Sequence, residues 1–406
     1  MGEEEWGEVN HRVQEGSKKM IKHIFFALFL AAQCAFPIGQ SAVITLVFPS
    51  GARSLGMGEV GTALADDEDA LFYNPAGLGM QNNRWHGGAV TDFYQQLLPA
   101  FRIPDLWQYR WDGVYQPESS VWGGVGIYYN MLNFGMNEWT NELGSVIGRA
   151  ISYEYVTGPS WGFNFEELGL KNHFFGISAK FVYSALAPGY GPGSEGIGET
   201  FAIDVGYIWK FYPSFRFGLT LQNMGPSIFY ISEQERDPIP FTLNLALAYS
   251  KDFLTDNGII VSQVRAEIRT DREIVKNYID KPPDPFWTAI YTDLLHDTSK
   301  TFKQQLDEFE LHSGAEITFF NTFSLRSGFL YDDVGKRIEG HWGTGIKLFN
   351  HFQYDMYWIY SPEGYLKWLF HNEGSNGARH GQFGMNFTFF NMFKWNDADH
   401  TWWKKP

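Results

Sequence analysis

Residues Thr200–Lys210 place Phe201, Ile203, Val205, Tyr207 and Trp209 on one face of an extended chain. Ala202, Asp204, Gly206 and Lys210 fall on the other face, with Ile208 the exception. The pattern recurs. Phe383, Met385, Phe387 and Phe389 alternate with Gln382, Gly384, Asn386 and Thr388. Trp342, Thr344, Ile346 and Leu348 alternate with His341, Gly343, Gly345 and Lys347, and Phe323, Leu325 and Phe329 oppose Ser324, Arg326 and Gly328. A period of two is the signature of a strand with two different surroundings. Here one surrounding suits aromatic and branched side chains, and the other suits small, polar or charged ones. That is the wall of a transmembrane β-barrel, lipid on one face and lumen on the other. A soluble sandwich also alternates, but its core face is rarely so aromatic and its outward face would carry the charges. Aromatic residues make up 18% of the 406-residue chain, and there are 43 glycines. Beyond the N-terminus no apolar run approaches the ~18 residues of a membrane helix.

The alternation predicts fourteen strands, near 85–94, 121–130, 134–140, 148–157, 172–186, 199–211, 214–224, 240–250, 258–270, 310–320, 322–331, 340–349, 351–360 and 380–391. Connections after odd-numbered strands are mostly long, 95–120, 187–198, 225–239, 271–309, 332–339 and 361–379, with 141–147 rather short. Those after even-numbered strands are mostly short, with 158–171 too long for its class. Long loops on one side and tight turns on the other are the habit of outer-membrane barrels. The expected fold is therefore all-β, a transmembrane antiparallel barrel of about 14 strands in the outer membrane of a Gram-negative bacterium.

The N-terminus reads as an export signal. Lys18, Lys19 and Lys22 precede the apolar run Ile24–Ala32, the length of a signal-peptide core rather than a membrane span. With Met20 as the start, residues 1–19 are a non-native extension, 20–41 the signal peptide, 42–80 a separate N-terminal segment, 81–393 the barrel and 394–406 a polar tail. The single cysteine, Cys34, falls inside the signal. The mature chain then has no disulfide, thiolate metal site or cysteine nucleophile. A net charge of −15 argues against a nucleic-acid partner.

The segment 51–79, GARSLGMGEVGTALADDEDALFYNPAGLG, is glycine-rich, carries four consecutive acids and ends on Asn74-Pro75-Ala76. Gly56, Gly58 and Gly61 suit tight turns where backbone packs closely on a wall. Asp66, Asp67, Glu68 and Asp69 suit a charged helix start with Asp66 at the cap, in preference to a cation site. Asn74 followed by Pro75 suits a second helix start. The segment reads as a lumen plug, or alternatively as a hatch gated by a ligand, with Arg53, Gly56, Met57, Gly58, Asp66, Asp67, Asn74, Pro75 and Ala76 as its key residues. An unplugged fourteen-strand barrel would leak solutes.

Two loops carry candidate partner contacts. In 271–309, Lys281-Pro282-Pro283-Asp284-Pro285 breaks any strand, and Trp287, Ile290 and Tyr291 follow. Thr298 or Ser299 could then cap a short helix with Phe302, Leu306 and Phe309 on one face. The loop 96–120 contains Trp107, Tyr109, Trp111 and Tyr115, of which Trp107 and Trp111 are the partner candidates. No catalytic motif or phosphate loop is present and the histidines show no metal spacing, so the chain reads as non-enzymatic, without cofactor or metal.

Three runs carry a family resemblance: Arg53-Ser54-Leu55-Gly56-Met57-Gly58, Ala63-Leu64-Ala65-Asp66-Asp67, and Ala70 to Leu78 with its Asn74-Pro75-Ala76. Together they resemble the opening of the PorV/PorQ group, related to the FadL-type channels for hydrophobic compounds. Leu221-Gln222-Asn223-Met224-Gly225-Pro226, the insertion Trp287–Phe309, and Leu325-Arg326-Ser327-Gly328-Phe329 continue the likeness over roughly residues 47–392. The resemblance implies a fourteen-strand barrel of the type IX secretion system. Its partners would be the translocon barrel, the C-terminal signal domains of secreted cargo, a PorU-like sortase and outer-membrane lipid. Two features depart from the pattern: the polar tail Lys394–Pro406 after Phe393, and the aromatic stretch 96–120. The alternative is a FadL-like channel, which would show an apolar pocket behind the plug and a lateral opening in the wall.

Overall fold

The computed structural model describes residues 41–80, 89–96, 106–115, 123–140, 145–166, 169–189, 196–278, 281–335, 337–348, 351–363 and 381–390. The signal peptide, Cys34, His371, His380 and the C-terminal tail lie outside the described residues. In chain order the strands are β1 Ala89–Gln96, β2 Leu106–Tyr115, β3 Gly124–Thr140, β4 Val146–Asn164, β5 His173–Ala185, β6 Ile197–Tyr212 and β7 Phe215–Met224. A small hairpin follows, β8 Ile228–Phe229 and β9 Arg236–Asp237. Then come β10 Thr242–Leu254, β11 Ile260–Glu273, β12 Glu310–Phe319, β13 Phe323–Asp332, β14 Arg337–Leu348, β15 Phe352–Glu363 and β16 Gly381–Phe389. All but β8 and β9 pair antiparallel into a closed barrel of fourteen strands. Closure is between β1 and β16, with Thr91 opposite Phe387 and Asp92 opposite Asn386. A closed sheet leaves no unpaired edge, the condition for a sheet to cross hydrocarbon. Among the described residues no helix is long and apolar enough to cross a membrane; the strands do so.

The strand number agrees with the sequence-based expectation, but two errors cancel in it. Leu106–Tyr115, expected as part of an aromatic loop, is strand β2, and 121–130 and 134–140 are one long strand, β3. In β2 the inward positions are Gln108, Arg110 and Asp112, all fully buried. Two adjacent inward charges make such a strand look like loop until their lumen partners are known. Strand β4 runs on to Asn164, which shortens the turn that had seemed too long. With these corrections the longest connections fall at one end, although 141–145 and 333–336 at that end are short. They are 186–196, 225–241, 274–309 and 364–380, and the turns 116–123, 165–172, 213–214, 255–259, 320–322 and 349–351 lie at the other end. We take the long-loop end as extracellular.

The exterior meets the lipid requirement. Phe201, Ile203, Val205 and Trp209 of β6 are exposed, while Ala202, Asp204, Gly206 and Ile208 are buried inward. Toward the extracellular end Tyr155 stacks on Tyr129 and Tyr183, with centroids 5.6 and 5.0 Å apart. Toward the turns Phe175 packs on Phe163 and Tyr207, and His173 on Trp209. Along β5 the interval from Tyr183 to Phe175 is about 26 Å at ~3.3 Å per residue. At a strand tilt of ~40° this spans about 20 Å of height, within the ~25 Å apolar band flanked by aromatic girdles. This is an outer-membrane β-barrel.

Val205 lies midway along β6 and faces outward, so Val205→Arg should cost about 2–4 kcal/mol in barrel stability. Denaturant unfolding in lipid vesicles measures it; Asp204, one residue away, faces the lumen, so a flat response at Val205 would contradict the assigned faces.

Candidate functional site: the lumen plug and the extracellular lobe

Residues 50–80 fill the lumen, and nearly all of them are buried. The segment is too rich in glycine and acids to form long helices. It makes only short turns at Ala52–Gly56, Ala70–Tyr73 and Pro75–Gly79. Its exposed backbone groups therefore need partners from the wall. The Glu267 carboxylate of β11 accepts from four successive plug amides, Gly61, Thr62, Ala63 and Leu64, at 2.6–3.0 Å. Gln222 donates to the Phe72 carbonyl. Arg269 donates to the Glu59 carbonyl. Asn74 accepts from the Ala76 amide and donates to the Thr62 carbonyl, so it caps the Pro75–Gly79 turn.

The plug charges are paired as well, except Glu68, whose carboxyl accepts from Thr388 of β16. Arg53 reaches Asp66 and Asp67 at 2.7 Å and Glu316 of β12 at 2.9 Å. Glu316 also takes Arg326, which continues to Asp355 at 2.6 Å. Asp69 pairs with the buried Arg110 at 2.9 Å, and Arg110 continues to Asp112. Thus Asp66 is not a helix cap. The short helix Ala70–Tyr73 has no side-chain cap at all, because the acids are drawn to arginines across the lumen. Buried charges are tolerated only when paired.

Small residues in the wall let the plug backbone approach. A Cβ on Gly176 would lie 2.1 Å from the Pro75 carbonyl carbon, and one on Gly206 2.1 Å from the Asn74 Oδ1. On the opposite wall a Cβ on Gly314 would meet the Met57 carbonyl oxygen at 2.0 Å, and Gly56 lies against Gly343. Gly58, at φ +74°, sits between the backbones of Ser313 and Phe329. Of the plug residues expected from sequence, Arg53, Asp66 and Asp67 form one ionic knot, while Gly56, Met57 and Gly58 line one wall and Asn74, Pro75 and Ala76 the other.

Below the plug, toward the turns, lies a cavity of about 330 Å³ lined by Arg53, Asp66, Asp67, Arg216, Arg265, Glu316, Arg326, Lys347 and Gln353 among others. It is polar, contrary to the apolar pocket expected behind the plug of a FadL-like channel.

At the extracellular end, residues 274–309 fold into a lobe. The helical run Phe286–Leu295 and the helix Phe302–Asp307 are joined by a turn. The second helix is capped by Thr301 with Gln304 in a reciprocal capping box, rather than by Thr298 or Ser299. Asp293, Asp297, Glu308, Lys276 and Lys300 form an ionic core. It covers Arg272 of β11, which faces outward yet is 2% exposed and pairs with Asp293 and Glu308. Burial raises the Asp297 carboxyl, but hydrogen bonds from Lys276 and Ser299 outweigh it and hold Asp297 well below the usual carboxylate range. Burial likewise lowers Lys300, and its bonds to Glu308 and Asp293 override this and raise it.

The lobe sorts the expected partner residues. Trp287, Tyr291 and Phe302 are 64%, 59% and 75% exposed, and Leu306 is 52% exposed. Ile290 is not presented; with Phe286 and Leu294 it packs on Phe241, Ile274, Leu221 and Leu243. Trp107 and Trp111 are not on a loop either. They lie in β2 on the outward face, opposite buried Gln108 and Arg110. Their surroundings are lipid, so the partner role is withdrawn from them. Sequence reasoning missed Glu267, Arg110, Arg269 and the two inward histidines, His312 and His341, whose plug contacts join residues more than two hundred positions apart or, for Arg110, across the lumen.

No protein-family model matches the chain, and no curated protein matches it. Solved structures do. Over 84% of this chain they include the Pseudomonas putida toluene transporter TodX (11% identity, 96% of that chain, TM-score 0.45) and the Ralstonia pickettii toluene transporter TbuX (10%, 98%, 0.44). A Pseudomonas aeruginosa FadL homologue gives 9% identity, 84% and 96% coverage, and TM-score 0.42. The fold assignment rests on the strand pairing itself.

Two outcomes are expected. Gly176→Ala should push Pro75 off β5 and raise single-channel conductance in planar bilayers without loss of the barrel; unchanged conductance would show that the plug does not close the lumen. Asp297→Asn should loosen the lobe, seen as faster proteolysis within 274–309 at neutral pH. A depressed carboxyl stabilises above its unfolded value near pH ~3.9 and loses that contribution as pH falls through the folded value. The difference from wild type should therefore vanish in strong acid.

Proposed function

We propose that this barrel is a closed, non-enzymatic outer-membrane docking protein that works at its extracellular lobe. The observation that carries the reading is the lobe itself: a folded ionic core that turns Trp287, Tyr291, Phe302 and Leu306 outward. Aromatic side chains fixed on such a scaffold give large buried area at small entropic cost, the usual make-up of a binding hot spot. The plug supports it too, since a lumen closed by paired charges suits a protein whose work lies on its surface. In its finer form the reading follows the PorV/PorQ resemblance. The partner is then the C-terminal signal domain of a secreted cargo, received from the type IX translocon barrel and passed to a PorU-like sortase.

A second reading, a channel for hydrophobic compounds, follows the likeness to the toluene transporters TodX and TbuX. One feature of this chain supports it. The β4–β5 ladder is interrupted at Gly158-Pro159, between the pairs Thr157 with Phe181 and Ser160 with Ser178. Proline donates no ladder hydrogen bond, so this is a weak seam through which an apolar molecule could leave sideways. The polar cavity below the plug speaks against an axial apolar path.

Deleting residues 284–308 should abolish co-purification of a cargo C-terminal domain with outer membranes, while heat-modifiable gel mobility shows the barrel intact. Undiminished co-purification would sink the docking reading. So would quenching by brominated lipid of a fluorophore at Trp287→Cys, which would assign the aromatic stripe to the membrane. Saturable toluene binding lost on widening the seam would favour the channel.

A further inference from the structure

We infer that the plug is fastened to the wall near the extracellular end by a divalent transition-metal ion held by Glu59, Glu339 and His341. Glu59 belongs to the plug, and Glu339 and His341 belong to β14. All three are buried, and their ligand atoms lie within 4.8 Å of one another. One carboxylate from the plug and a carboxylate and an imidazole from the wall would make the ion a clip between the two parts.

The imidazole gives the argument its direction. His341 Nδ1 lies 2.7 Å from the Leu55 carbonyl oxygen. A carbonyl can only accept, so Nδ1 carries the proton. The neutral ring then points its Nε2 lone pair inward, and Nε2 is buried without a hydrogen-bond partner. The atom it faces is Glu339 Oε2 at 3.4 Å, itself an acceptor. Two acceptors facing each other in a buried site require a cation between them or a second proton on the ring. A backbone-anchored Nδ1–H with Nε2 aimed at carboxylates is the arrangement of metal-ligating histidines.

Charge leads to the same place. Around this site stand the carboxylates Glu59, Glu339, Glu310 and Asp271 against the guanidinium groups of Arg337 and Arg269. At the site itself Glu59 and Glu339 share one guanidinium, Arg337, so a bound cation would offset the remaining negative charge. Arg337 donates to Glu59 Oε1 and to both carboxylate oxygens of Glu339 at 3.2 Å, so an ion beside His341 Nε2 would share these carboxylates with the guanidinium. A mixed set of one nitrogen and two carboxylate oxygens suits a borderline ion such as zinc or cobalt, with water in the fourth position. A second triad, Asp271, Glu310 and His312, lies nearby with His312 Nδ1 against the Gly58 carbonyl. There His312 Nε2 is likewise buried without a hydrogen-bond partner, but Asp271, 2.9 Å away, already pairs with Arg269 at 3.0 Å, which leaves less room for an ion. It serves as the internal control.

The inference is independent of the docking reading. The test uses the full-length protein, chelator-treated in detergent micelles and then titrated with zinc or cobalt by calorimetry. One equivalent should bind, with a cobalt visible spectrum and a higher unfolding temperature. His341→Ala and Glu59→Gln should each weaken binding by more than about tenfold, while His312→Ala retains it. Gel mobility verifies that each variant is folded. No stoichiometric binding, binding that survives His341→Ala, or equal loss in His312→Ala would overturn the proposal, the first by leaving His341 as a protonated partner of Glu339.

Discussion

Charge matching between the plug and the inner wall is the constraint on which the rest depends. The closed sheet disposes of its own backbone groups, but residues 50–80 carry many more that their short turns cannot satisfy. Water-free interior positions allow these groups only if the wall supplies partners. It does so with a small number of long side chains: Glu267 for four amides, Arg269 and Gln222 for carbonyls, Arg110, Arg216 and Arg326 for the acids or their partners. Such buried pairs add little net stability compared with apolar packing. What they add is register, because a plug slipped by one residue would strand several charges at once. The glycine positions on the wall impose the same register by shape, since a side chain there would occupy the plug backbone.

The parts of this arrangement that could be read from the sequence are those encoded locally. Alternation within β6, β13, β14 and β16 needs only neighbours two residues apart, and it placed the lipid face correctly. It failed at β2 because Arg110 and Asp112 are stabilised by Asp69 and each other, a contact no local window contains. The split of β3 follows from Asn133 and Gly135, which form a bulge within one strand and look like a turn between two. In the lobe the apolar period of the helix with Phe302 and Leu306 is legible, but the helical run 286–295 is not, so nothing local shows that Ile290 turns to the wall while Trp287 and Tyr291 turn away. The plug residues were legible as a group because glycine, acid and Asn-Pro turns are unusual together. The roles of its acids were not, because their arginine partners lie on strands far along the chain.

The two solvents of the barrel separate the functional readings physically. Outside, the wall is continuous hydrocarbon surface; inside, it is a lattice of paired charges around a polar cavity. An apolar molecule entering that interior would have to break pairs such as Arg53 with Glu316, each left uncompensated at a cost of ~3–5 kcal/mol. It would gain only the transfer of its own surface, ~25 cal/mol per Å². For a ring-sized molecule these nearly cancel, so axial passage offers no favourable site to dwell in. The apolar surfaces that remain available are the outer wall and the lobe. The docking reading proposed above places its contacts on the lobe, with the plug closing the lumen behind it.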